Sequence, residues 1–150
     1  MPRIAGVLGK AWTAPNTALG LSLGAVAIML GARARGGRNA IEFLDQPFVT
    51  LLGKSAVTLG NTVHYAPGRG PEQVVVRYDG RATVRLGDHE HAHTLQYERW
   101  GPFFLVAYAV SWLPFVPPAG SRFEHAADDA AEAAAGRRER GEPGESGDRP

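Results

Sequence analysis

DHEHAHTLQYE, residues 88–98, places His89 and His93 four residues apart with Glu90 directly after the first. On a helix, residues four apart share a face, about one turn of rise from each other, so two imidazoles at this spacing can converge on one cation. Glu90, beside the first imidazole, can lean toward a water held by that cation and accept its proton. This is the HExxH spacing of zinc hydrolases. Gly87-Asp88 reads as a stop followed by an N-cap, and Gly101-Pro102 predicts the helix end.

Two protein ligands do not close a catalytic zinc site; three and a water do. Phe123-Glu124-His125-Ala126-Ala127-Asp128 lies in an Ala-rich helical run and offers Glu124 as the third. Asp128, one turn later, is placed to hydrogen-bond the far nitrogen of a ligand imidazole, and Gln96, three residues beyond His93, to orient that ring or the turn. The plainer alternative for Glu124 and Asp128 is a solvated acidic face shared with Asp129 and Glu132. His91 falls on another helix face, His125 points about 100° from Glu124, and His64 reads as a strand histidine. Tyr97, Arg99 and Tyr108 could each polarise a substrate carbonyl, and nothing in the sequence chooses among them. The connection fits. A helix from Asp88 to about Arg99 carries the chain roughly 17 Å away. The apolar run Phe103 to about Leu113 returns it, and Pro114, Pro117, Pro118 and Gly120 turn it into the next helix. Glu124 then meets His89 and His93 if the two helices run antiparallel.

HEHAHTLQYERWGPFFLVAY followed by FEHAADDA resembles a family of small, largely uncharacterised bacterial proteins that carry HExxH-x-x-Q, a Gly-Pro-aromatic-Leu run, then F-E-x-x-A-D. APNTALGLSLGAVA and AVTLGNTV extend the likeness over most of residues 12 to 131, with Ser121-Arg122 standing where the family often has an Asn-containing turn. More distantly the pattern is similar to the gluzincin metallopeptidases. The resemblance implies Zn2+ at His89, His93 and Glu124, Glu90 as general base, Asp128 as outer support, and a zincin-like helix arrangement; it implies no substrate.

The formal net charge of +1 argues against a general nucleic-acid role, and the absence of cysteine leaves only His, Asp and Glu as metal ligands. Residues 1 to 40 hold Arg3, Lys10, Arg33, Arg35 and Arg38 and no acid, a pattern expected of a segment near an anionic membrane or of a basic, flexible N-terminus. Ala18 to about Ala32 is apolar all round. At about 15 residues it is short of the roughly 20 a bilayer needs. A signal-peptide core, a short membrane helix packed by Gly20, Gly24 and Gly31, and a buried core helix all remain open. Membrane-surface contact is expected through residues 1–38 and 101–118. A bilayer crossing by Phe103–Pro118 would, however, put Glu124 on the opposite side from His89 and His93.

Ala56 to Tyr65 is strand-like, and Val74–Tyr78, Asp79-Gly80 and Arg81–Leu86 read as a hairpin with a tight turn. Residues 56–65 are the candidate edge strand for binding substrate backbone. The expected architecture is α+β: an N-terminal apolar helix and basic linker over 1–39, and a zincin-like metal-binding domain over 40–135. That domain holds a small antiparallel β-sheet followed by three helices. A disordered Arg/Glu/Gly/Pro tail over 136–150 ends the chain. The expected function is zinc-dependent hydrolysis of a peptide or protein substrate, by a membrane-associated or cytoplasmic bacterial protein. The alternative is a non-catalytic small membrane-associated protein with a structural metal or a polar helix clamp.

Overall fold

The computed structural model describes residues 2–77, 80, 82–111 and 119–142. Helix α1 spans Pro2–Trp12, a stretch with no clear helical signal in the sequence, and α2 spans Ala14–Met29. Helix α2 buries Asn16, Gly20, Gly24 and Ala27 and leaves Leu19, Val26, Ile28 and Met29 exposed. Its glycines are notches. A Cβ on Gly20 would collide with the Thr62 hydroxyl, and one on Gly24 would enter the Phe43 ring. The helix therefore seats its backbone against the sheet, which settles the packing of residues 18–29. Among the described residues no helix is long and apolar enough to cross a membrane.

Strands β1 (Arg33–Gly36), β2 (Ile41–Leu44), β3 (Ala56–Leu59) and β4 (Thr62–Tyr65) form one sheet in the order β1-β2-β4-β3, with the short helix α3 (Pro47–Leu51) between β2 and β3. The fold is α+β as expected, but the sheet is mixed rather than antiparallel. Strand β2 pairs with β4 in parallel, because α3 and β3 return the chain to the same end before β4 begins. Two stretches differ locally from the expectation. Arg33–Gly36, within the expected linker, is a strand paired with β2. The single strand expected over 56–65 is a hairpin turned at Gly60-Asn61, where Gly60 takes φ +61° against Thr17. Strands β5 (Val74–Val76) and β6 (Thr83–Arg85) make a separate two-stranded hairpin. Val75 opposes Val84, so those two face inward while Val74 and Val76 are exposed. Of its expected turn, Tyr78, Asp79 and Arg81 lie outside the described residues.

Register separates the sheet's faces. Phe43, Thr62 and His64 share the face covered by α2, while Glu42, Thr58, Val63, Tyr65 and Ala56 share the other. On the second face Ala56, Val63 and Tyr65 form the core with Leu86, the first residue of helix α4 (Leu86–Trp100). On the first face His64 is fully buried, stacked on Phe43 at 5.0 Å, and lies 3.0 Å from the Thr62 hydroxyl. Burial pushes its pKa down to about 4.

Helix α4 ends at Gly101 (φ +59°) and passes through a 3-10 turn, Gly101–Phe103, into α5 (Phe104–Ser111). The proposed turn at Pro114, Pro117 and Pro118 lies outside the described residues, and α6 (Ala119–Glu139) completes the chain. Asp88 does not cap α4, which begins two residues earlier. It is buried near the start of the helix and held by Arg138 at 2.5 and 2.9 Å and Arg38 at 3.5 Å. Asp88 meets Arg138 and Gln96 meets Phe123, so α4 and α6 run antiparallel. Helix α6 continues past Gly136 to Glu139, its basic last turn suiting the helix dipole.

Among the described side chains of residues 1–40, four basic groups meet acids of the fold. Lys10 faces Glu98 at 3.8 Å, Arg33 faces Asp45 at 2.8 Å, Arg35 faces Glu42 at 2.7 Å, and Arg38 faces Asp88. Asn39 and Asn61 also donate to Glu98, and Asn16 donates to the Gly101 carbonyl, which ties both N-terminal helices to the end of α4.

Candidate metal centre

His89 and His93 project from one face of α4, and Glu124 reaches them from α6. Nε2 of His89 lies 3.1 Å from Nε2 of His93 and 3.1 Å from Oε2 of Glu124, and His93 Nε2 lies 3.6 Å from the same oxygen. The three residues are the described group that could hold a metal ion, with their ligand atoms all within 4.8 Å of one another. Four ligands about 2.05 Å from a tetrahedral cation sit about 3.3 Å apart, and the observed triangle brackets that edge.

The outer partners determine which atoms face the centre. Gln96 donates through Nε2 to the Phe123 carbonyl at 3.0 Å, so its Oε1, 2.9 Å from His93 Nδ1, has to accept. His93 therefore carries its proton on Nδ1 and keeps a lone pair on Nε2. Asp128, almost fully buried, does the same for His89 with Oδ1 2.8 Å from Nδ1. Two lone pairs and a carboxylate oxygen thus converge on one point, an arrangement that requires positive charge there. The electrostatics agree. Burial disfavours a proton on His89. Hydrogen bonding to Glu124 and the charges of Glu90, Glu124 and Asp128 outweigh it and push the pKa up to about 9. Glu124 pays desolvation too, yet its contacts with the His89 and His93 rings and the hydrogen bond from Tyr108 hold it well below the usual carboxylate range.

Glu90 points toward the sheet. It is buried, and Thr58 on the edge strand β3 donates to its Oε2 at 2.6 Å. Both residues line the cleft of about 590 Å³ that also contains His89, His93, Glu124 and Asp128. Among the three residues weighed as carbonyl polarisers, Tyr108 lines the cleft with its hydroxyl on Glu124 Oε1 and its ring edge-on to His93. Tyr97 also lines it but is buried against Phe104, and Arg99 does not line it. His64 lies on the far face of the sheet. His91 faces a smaller pocket with Arg38 and Asp88, and His125 is outside the donor group.

The structure brings His89, His93 and Glu124 together and sets Asp128 and Gln96 against the two rings; Thr58 was not singled out by the sequence. Its position inside a strand proposed to flank the metal was the available signal, and contact with Glu90 follows only from how α4 lies on β3. No family model, curated protein or solved structure matches the chain.

Proposed function

We propose that the chain is a zinc-dependent hydrolase acting on peptide bonds, with Zn2+ held by His89, His93 and Glu124 in a zincin-like helix arrangement. The observation that carries the reading is that three converging donors and a buried glutamate line one cleft, with no fourth protein ligand among the described residues. Structural zinc sites are closed by four protein ligands; catalytic ones keep a position open. Bound there, zinc would supply Lewis acidity and bring the pKa of a water close to neutrality. Glu90, which lines the same cleft, would be the group to accept a proton there. Thr58 occupies Oε2, which leaves Oε1 as the basic atom and fixes the carboxylate's direction. Tyr108 lines the cleft and donates its hydroxyl proton to Glu124, which holds that carboxylate in place. Strand β3, at the sheet edge and along the cleft, offers main-chain pairing to an extended substrate.

The test is metal content by mass spectrometry on the purified chain beside His93→Ala, followed by protease and amidase assays. About one zinc per chain, lost in the variant, is expected, with Glu90→Gln keeping the zinc and losing the activity. No metal after added zinc removes the reading, and full activity in Glu90→Gln removes Glu90 from it.

A second reading, a non-catalytic membrane-surface protein clamped by polar contacts, draws on exposed Val7, Leu8 and Trp12 with Phe103 and Val106, the Trp12 and Phe103 rings lying 6.2 Å apart. The pairing of Lys10, Arg33, Arg35 and Arg38 with acids weakens its electrostatic half. Vesicle co-sedimentation at low and high salt tests it. Lack of binding to anionic vesicles at low salt would sink it.

A further inference from the structure

We infer that the cleft selects an extended polypeptide with bulky apolar side chains beside the cleaved bond. This rests on the hydrolase reading and names its substrate class. Apart from the donors, Glu90 and Asp128, the walls are mainly apolar and come from four elements: Ala56 of β3, Val75 and Val76 of β5, Leu86 of α4, and Phe104 and Leu105 of α5.

The same surface continues out of the cleft. Leu52, Val76 and Leu105 line it and are nevertheless 59%, 67% and 37% exposed. Their chain neighbours Leu51 and Val106 are exposed as well. Apolar side chains left in water around the mouth of an apolar cleft mark a surface that a partner covers, and here it is continuous with the reacting centre.

Charge narrows the occupant. Among the described residues, Lys54 is the one basic lining side chain outside the histidines, and the carboxylates are Glu90, Glu124 and Asp128. A divalent cation together with Lys54 offsets those three acids, so that lining is close to neutral. None of the described lining residues is an arginine that could grip a phosphate or a substrate carboxylate bidentately. Backbone shape narrows it further. The open edge of β3 forms one wall, and a strand paired there sends alternate side chains to opposite sides, which suits an extended chain better than an acyl tail or a folded surface.

The probes are three peptide hydroxamates, identical except for leucine, alanine or aspartate at the side chain beside the zinc-binding group. Their binding to the zinc-loaded full chain is measured by calorimetry. The leucine compound is expected to bind about 30-fold or more tighter than the alanine compound, and the aspartate compound weakest. Val76→Asp and Leu105→Asp change exposed rim positions, so zinc content and circular dichroism should stay as in the parent. The leucine-to-alanine ratio should fall to about fivefold or less. Equal affinities overturn the substrate class and leave the hydrolase reading standing. Failure of all three to bind a zinc-loaded chain overturns the substrate class as well. Failure to take up zinc overturns the hydrolase reading and this inference with it. Vesicle binding or self-association abolished by Leu105→Asp, without discrimination among the hydroxamates, assigns the rim to a lipid surface or a second copy and overturns the inference.

Discussion

Replacing Gln96 by leucine isolates a single proton. Gln96 contacts no metal; it holds His93 by one hydrogen bond at 2.9 Å and is itself locked by its bond to the Phe123 carbonyl at 3.0 Å. In Gln96→Leu the ring proton is free to move from Nδ1 to Nε2, where Glu124 can accept it. A metal must then expel that proton before it binds. One hydrogen bond in a buried setting contributes about 1.4–2 kcal/mol, so zinc affinity should fall about ten- to thirtyfold. That lies within the range seen when outer-shell partners of metal ligands are removed. Competition against a chromogenic chelator at neutral pH measures it. Gln96→Glu keeps an acceptor for Nδ1–H and loses only the bond to Phe123, so it should bind zinc at least as tightly as the parent. A folded Gln96→Leu chain with parental zinc affinity would refute the tautomer argument, as would Gln96→Glu losing as much as Gln96→Leu.

His64 should make the fold acid-sensitive. Its folded pKa of about 4 lies below its ordinary value of 6.5. The unfolded chain therefore binds the extra proton between those values; stability is full above about 6.5 and is lost as pH falls toward 4. The loss should be about 2 kcal/mol between pH 7 and pH 5 by urea denaturation, and His64→Gln should flatten that slope. An unchanged slope in the variant would assign the effect elsewhere. Gly24→Ala should destabilise by about 1–2 kcal/mol in the same assay despite alanine's better helix propensity, because its methyl group displaces the Phe43 ring. A stabilised variant would mean that α2 does not seat as described.

The metal centre was legible because its signals are local. Two imidazoles four apart on a helix share a face whatever the rest of the chain does, and Glu124, Asp128 and Gln96 follow from the same periodicity on two helices. Thr58 was not legible, since nothing between residues 58 and 90 records that β3 lies under α4. The sheet shows the same limit. Short hydrophobic runs announce strands, but the parallel pairing of β2 with β4 depends on where α3 and β3 carry the chain. The hairpin at Gly60-Asn61 passed for continuous strand because Ala56 to Tyr65 is apolar and β-branched on both sides of the turn. In the basic N-terminal segment, Lys10, Arg33, Arg35 and Arg38 find Glu98, Asp45, Glu42 and Asp88 in the same chain, partners that the composition of residues 1–40 alone does not reveal.

Helix α6 is attached to α4 at two places, Glu124 and Asp128 on His89 near its middle and Arg138 on Asp88 near its end. During synthesis the chain therefore cannot assemble the donor triangle until α6 has left the ribosome. A product that stops before α6 carries HExxH without the third donor. On the proposed reading, metal loading in the cell then waits for α6, and a shorter nascent fragment has no assembled triangle with which to compete for zinc.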